Sequence, residues 1–328
     1  MNPHATTVAV VVSCLAASCG SAPPGLGASP STELVAVSGD SVEVLSASTG
    51  AVLRSVTIAP SLATAIGAQI AVAPPGDTMY ASTIVGTTCA SNLVVDVDLQ
   101  SGFVRVVAEF ASAPTISPNG SQLAYIDYSG PACSPDTITV EDLASGRRRT
   151  WDVITTTPVA GRAPPQLLSL EWAPDGRHLV LGGVNGNFSG VQILDTDQAV
   201  GPANPRDVGR FSSDGLPGGR YSDPVERPDG SIVALEPYLW AGISDPDVTA
   251  GTAVVALDAS TGGVISTLLN QPNPDAALGI DALAIDPSGT QVDLVGGTAQ
   301  HAGLYQLSSG VLRLVAPDVV AATWLPRA

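Results

Sequence analysis

Leu170-Glu-Trp-Ala-Pro-Asp-Gly176-Arg-His-Leu-Val180 packs a strand, a Pro-x-Gly turn and a second strand into eleven residues. Proline presets φ at the second position of a turn, Asp, Asn or Ser suits the third, and glycine accepts the left-handed backbone that reverses the chain. The same unit recurs four times: Ile70-Ala-Val-Ala-Pro-Pro-Gly76, Thr115-Ile-Ser-Pro-Asn-Gly120, Val225-Glu-Arg-Pro-Asp-Gly230 and Leu283-Ala-Ile-Asp-Pro-Ser-Gly289. These glycines stand 44, 56, 54 and 59 residues apart, and a period of this order marks a repeat architecture.

A second unit alternates with the first. It reads Val97-Asp-Leu-Gln-Ser-Gly102, Glu141-Asp-Leu-Ala-Ser-Gly146 and Leu257-Asp-Ala-Ser-Thr-Gly262, with weaker copies ending at Gly50 and Gly310. An Asp at the strand end caps the backbone N–H groups that follow, and the glycine returns the chain. One Pro-x-Gly hairpin and one Ser/Thr-Gly hairpin together account for four antiparallel strands. Five Pro-x-Gly copies give five blades, and the chain ends supply a sixth. Residues 33–57 hold three strands, and Val319-Val-Ala-Ala-Thr-Trp324-Leu-Pro matches Leu168-Ser-Leu-Glu-Trp172-Ala-Pro with no hairpin after it. The fold expected is therefore all-β: a six-bladed propeller of four-stranded antiparallel blades, its ring closed when the C-terminal strand completes the N-terminal blade. Near Leu194-Asp195-Thr-Asp197 the second unit loses its glycine, so the fourth blade is expected to have an irregular edge.

The blade pattern, Leu170-Glu-Trp-Ala-Pro-Asp-Gly176 above all, resembles the WD40-like (PD40) repeat of TolB-type six-bladed propellers over residues 33–328. That resemblance implies a protein-interaction platform at the cell envelope, or a non-catalytic domain beside a peptidase. It identifies fold far better than function.

Composition sets the surroundings. The formal charge is −17 and all 13 basic residues are Arg, a surface that repels phosphate backbones, so no nucleic acid is expected among the partners. Residues 8–17 form an apolar run of signal-peptide length, too short to span a bilayer. Leu15-Ala-Ala-Ser-Cys19-Gly follows and resembles the bacterial lipobox, in which the cysteine is acylated and becomes the mature N-terminus. The expected domains are a signal peptide over 1–18, a Gly/Ala/Ser/Pro-rich tether over 19–32 attached through Cys19, and the propeller over 33–328. Contact with the membrane is then through the lipid alone. A cleaved, unlipidated and hence secreted chain is the alternative.

No constellation of reactive residues stands out. Cys89 and Cys133 remain as an even pair for an oxidising compartment, in corresponding loops of neighbouring blades, and are expected to form a disulfide; free thiols or a metal pair are the rivals. His178 sits beside a hairpin turn and His301 in a loop of the last blade, with no metal-ligand spacing near either. No metal and no cofactor are expected. Gly186-Asn-Phe-Ser189-Gly lacks the spacing of a nucleophile elbow, and Asp245-Pro-Asp247-Val-Thr-Ala-Gly251 lacks the glycine and glutamate positions of a calcium loop. The three arginines 147–149 follow a hairpin glycine and are expected to face solvent. Trp172 and Trp324 occupy equivalent repeat positions and are read as blade packing. Trp240, with Asp245 and Asp247 just after it, is the candidate contact face.

These readings favour a monomeric, non-catalytic extracytoplasmic scaffold that recognises an envelope protein or extracellular ligand on a propeller face. A lactonase-like or lyase-like propeller enzyme and a small-ligand sensor are the alternatives.

Overall fold

The computed structural model describes residues 32–63, 65–84, 92–128, 136–153, 166–185, 188–203, 205–208, 221–237, 252–271, 279–298 and 301–326. Blade 1 begins with β1 (Glu33–Ser38), β2 (Ser41–Ser46) and β3 (Val52–Thr57), followed by a short helical turn, α1 (Pro60–Ala63). Blade 2 comprises β4 (Ile66–Ala73), β5 (Thr78–Ile84), β6 (Asn92–Asp98) and β7 (Val104–Glu109). Blade 3 comprises β8 (Ala111–Ile116), β9 (Gln122–Tyr128), β10 (Asp136–Asp142) and β11 (Arg148–Val153). In blade 4, β12 (Gln166–Trp172), β13 (His178–Asn185) and β14 (Phe188–Asp195) precede two short strands, β15 (Gly201–Ala203) and β16 (Arg206–Val208). Blade 5 is β17 (Ser222–Glu226), β18 (Ser231–Pro237), β19 (Thr252–Asp258) and β20 (Val264–Gln271); blade 6 is β21 (Gly279–Ile285), β22 (Val292–Thr298), β23 (His301–Ser308) and β24 (Val311–Pro317). The last strand, β25 (Val319–Trp324), pairs antiparallel with β1 and becomes the inner strand of blade 1. The expected six-bladed ring and its closure by the C-terminus are both present.

The middle strands of a blade bury both faces and read as apolar runs, not strict alternations, whereas the outer strands β3, β7, β20 and β24 are largely exposed. The core is accordingly divided into six clusters, one in each seam between neighbouring blades. Trp172 and Trp324, 4% and 6% exposed, pack in the seams between blades 3 and 4 and between blades 6 and 1.

The ten motif glycines all have positive φ, between 66° and 97°. At some of them the space is as restrictive as the dihedral. A Cβ built on Gly120 would lie 2.8 Å from Pro74 Cδ, because the Pro-x-Gly turn of blade 2 packs beneath that of blade 3. In the second hairpins the Asp caps its own turn. Asp98 Oδ1 accepts the Gln100 and Ser101 N–H groups at 2.9 and 2.7 Å, and Asp258 Oδ1 those of Ser260 and Thr261 at 2.8 and 2.9 Å.

Blade 4 departs from the pattern where its hairpin glycine is missing. After β14 the chain crosses to blade 3, where β15 pairs parallel with β11, and then returns to pair β16 with β14. This exchange stitches the two blades at the rim. Trp151, fully buried on β11, donates its indole N–H to Gln198 O at 3.4 Å. Arg149 reaches Thr196 O at 3.0 Å while its guanidinium lies 5.2 Å from the Trp151 ring centroid. Of the three arginines expected in solvent, Arg147 and Arg148 are exposed and Arg149 is drawn into the stitch.

Candidate functional site: an acidic central channel

The inner strands β25, β4, β8, β12, β17 and β21 touch in sequence around the axis. Every one of them carries a register shift against its partner. A bulge inserts a residue that the ladder does not pair, and it re-aims side chains. In the five inner strands that lead into a Pro-x-Gly turn, the shifts fall at a similar place in the repeat, ahead of the motif glycine. Residues skipped by the pairing are left outside the ladder: Leu168 is 50% exposed, Val320 is 41% exposed, and Asp281 is exposed as well. At two bulges a residue ahead of a proline has positive φ, Ala113 at 51° and Asp223 at 45°. A non-glycine residue in that region is held there by its surroundings.

All six inner strands contribute to a cavity of about 70 Å³ on the axis. Its polar lining comes mainly from blades 4 and 5, with Ser169, Glu171 and Asp223, and from Gln69 on blade 2. Gln69 Nε2 donates to Asp223 Oδ1 at 3.1 Å, a bond that crosses the channel between diametrically opposite blades. Burial pushes the carboxyl of Glu171 up to about 7, opposed by a bond from Thr115. Burial also pushes Asp223 up to about 7, opposed by the Gln69 bond and reinforced by the negative charge of Asp281. Asp281 itself keeps solvent contact yet is raised by the protein around it. Glu171 and Asp223 retain a little accessible surface on the narrow channel; what sets their titration is the protein packed on every other side.

The sequence reading did not single out these acids. A signal was present. Glu171 falls where the other Pro-x-Gly copies have Ala71, Thr115, Val225 and Ala284, so an acid at an inner-strand position set it apart.

The residues that were singled out divide into two groups. Cys19, Cys89, Cys133, Trp240, Asp245 and Asp247 lie outside the described residues. His178 opens β13 just after the Pro-x-Gly turn, half-buried, its Nδ1 2.5 Å from Asp175 Oδ2. His301, expected in a loop, instead opens β23, where it pairs with Thr298. Among the described residues no group of three His, Cys, Asp or Glu side chains is placed to hold a metal ion.

Ring, seams and channel together define a six-bladed propeller, and comparison with solved structures agrees. The chain superposes on TolB from Acinetobacter baumannii with a TM-score of 0.60 at 15% identity, over 90% of this chain and 66% of that one. It thus spans somewhat less than two thirds of that TolB. A structure of a nidogen/laminin complex matches with a TM-score of 0.57 at 12% identity, covering 90% of this chain and 99% of the other. A 6-phosphogluconolactonase-type structure from Bacteroides uniformis matches with a TM-score of 0.51 at 16% identity, covering 89% and 99%. No protein-family model and no curated protein matches the sequence. The fold is that of a TolB-like propeller; identities this low carry the fold and no further.

Proposed function

We propose that this chain is a non-catalytic extracytoplasmic binding scaffold, attached to the membrane through a lipid on Cys19 and presenting one propeller face to a protein partner. The observation that supports this reading most is the polarity of the ring. The Pro-x-Gly and Ser/Thr-Gly turns share one face, and their N–H groups are largely satisfied within the turns. Both described chain ends leave from that face: Thr32 O accepts from Ala47 N, and Leu325 N donates to Glu33 O, beside the β2–β3 turn. The strand ends joined by segments 85–91, 129–135, 154–165, 209–220, 238–251 and 272–278 all lie at the opposite face. Connections carry function more often than the elements they join. A tether on the turn face leaves the connecting face directed outward.

The charge fits this orientation. Asp98, Asp142 and Asp258 stand on the turn face, each held below the usual carboxylate range by the Ser or Thr donors of its own turn, and Asp258 is lowered to about 2. Such a face is repelled by anionic lipid. A flexible tether of the 19–32 type reaches roughly 20 Å, more than the Debye length of about 8 Å at physiological salt, so attachment does not press the acidic face to the bilayer.

Photo-crosslinking in cells tests the reading. A photoreactive residue is placed at Glu109 or Asp318, exposed on the connecting face, and at Ser145 or Ser260, exposed on the turn face. Defined adducts are expected from Glu109 and Asp318 alone. Adducts from the turn face alone, or reproducible hydrolysis of lactones by the purified chain, would contradict it.

A further inference from the structure

The rim of the ring is closed along one arc and open along the other. Blade 3 ends in β11, which β15 covers, and blade 4 ends in β16, only three residues long. Blades 5, 6, 1 and 2 end in β20, β24, β3 and β7, each the last strand of its sheet. Such an edge presents unpaired N–H and C=O groups, a template for another strand, and proteins usually blunt it with charge, proline or bulges.

The four open edges are not equally guarded. β20 shifts register twice against β19, β7 runs out in Glu109, and β24 runs out in Pro317. β3 has a single shift, at Leu53, and neither an acid nor a proline along its length. Val52 and Leu53 on it are 53% and 55% exposed, and the outer strands on either side leave Leu314 and Val106 in water as well. Large apolar side chains gathered at an unpaired edge mark a surface that meets a partner.

Charge selects the kind of partner. Arg54, Arg105 and Arg313 stand inside the outer strands of blades 1, 2 and 6, three neighbours on the ring. Arg105 Nε donates to Asp96 Oδ2 at 3.0 Å, and Arg313 reaches Ser48 O at 3.1 Å. Arg54 is exposed and makes no hydrogen bond or ion pair among the described residues. A free cation on a chain of formal charge −17 complements a carboxylate. A second copy of this chain would bring the same strand and no acid on it, and like charges facing across paired strands are unfavourable. Residues 1–31 hold no Asp or Glu either.

We propose that β3 is a docking edge: an extended segment of a partner protein, apolar with a central carboxylate, adds to it as a fifth strand of blade 1. Main-chain hydrogen bonds to the free edge give affinity, and the side chains that face β3 give specificity. The carboxylate stands opposite Arg54, and the residues beside it cover Val52, Leu53 and Val56. This surface belongs to the rim and does not rest on which face of the ring is presented outward.

The probe is a fluorescent peptide, Thr-Val-Thr-Glu-Thr-Val-Thr with blocked ends, which reads the same in both directions and so suits a parallel or an antiparallel approach. Its anisotropy is followed as the full chain is added. Saturable binding of one peptide per chain is expected, weakened about tenfold in Arg54→Glu. The same peptide with Lys in place of Glu should bind the native chain about tenfold more weakly and recover on Arg54→Glu, an exchange that a folding defect does not produce. N-methylation of the peptide amides should abolish binding, because it removes the main-chain donors. No saturable binding, equal affinity for the Glu and Lys peptides, or affinity unchanged in Arg54→Glu or on N-methylation would each overturn the proposal. No envelope partner enters the titration, so its result is separate from that of the crosslinking experiment.

Discussion

Gly120 and Gly146 have the same backbone handedness, with φ of 71° and 67°, but different neighbours. Gly120 lies against Pro74 of the preceding blade, whereas nothing comes within 4 Å of a Cβ built on Gly146. An alanine at either site adopts a left-handed backbone at a cost of about 1–2 kcal/mol. At Gly120 it must also displace a packed turn. Gly146→Ala is expected to lose about 1 kcal/mol and Gly120→Ala about 2–4 kcal/mol, compared by urea denaturation. Equal losses would show that the contact between turns adds nothing. The channel acids give a second residue-level expectation. Glu171 and Asp223 hold their protons up to about 7 in the fold, against ordinary values of 4.5 and 3.8. Between those limits the unfolded chain binds fewer protons than the folded one. Their contribution is therefore full at the acid end of this window and is lost as pH rises through it. The turn acids Asp98, Asp142 and Asp258 act in the opposite sense, but only below the usual carboxylate range. Melting temperature is expected to fall from pH 4.5 toward 7.5, with a flatter profile in the Glu171→Gln, Asp223→Asn double variant. An unchanged slope in that variant would remove the channel acids from the explanation.

At the scale of elements, what was legible in the sequence was local. Pro-x-Gly and Asp-x-x-Ser/Thr-Gly hairpins announce themselves because a turn needs particular φ values within a few residues, and counting them gives the blades. The lost glycine near Asp195 correctly marked an irregular edge. It could not say that the chain would cross to the next blade, because β15 is three residues long and pairs with β11, far away in sequence. Trp151 and Arg149 are the trace of that exchange, legible only once Gln198 and Thr196 are seen beside them. The inner-strand bulges were hidden for a similar reason: a bulge is a relation between two strands, and the sequence of one carries little sign of it. The channel site was missed with them. The contact face around Trp240, Asp245 and Asp247 was read from loop composition, and those residues lie outside the described part of the chain.

At the scale of the whole molecule, six apolar seams hold the ring, and one of them is made by the chain's two ends. β25 pairs with β1 through five residues, from Leu34 opposite Trp324 to Ser38 opposite Val319. Val319, Ala322 and Trp324 join the blade 6–blade 1 seam with Leu34 and Ala36. No covalent link among the described residues completes blade 1, so the ring depends on this strand. Without it, β1 exposes an unpaired edge and the seam loses its tryptophan. Seams, channel and faces exist only if the ring is complete. The direct measurement is the thermal melt of the chain truncated after Asp318, followed by circular dichroism beside the full chain. The cooperative transition is expected to disappear and apolar surface to become accessible to a hydrophobic dye. A truncated chain that melts cooperatively at the temperature of the full one would contradict closure by this strand.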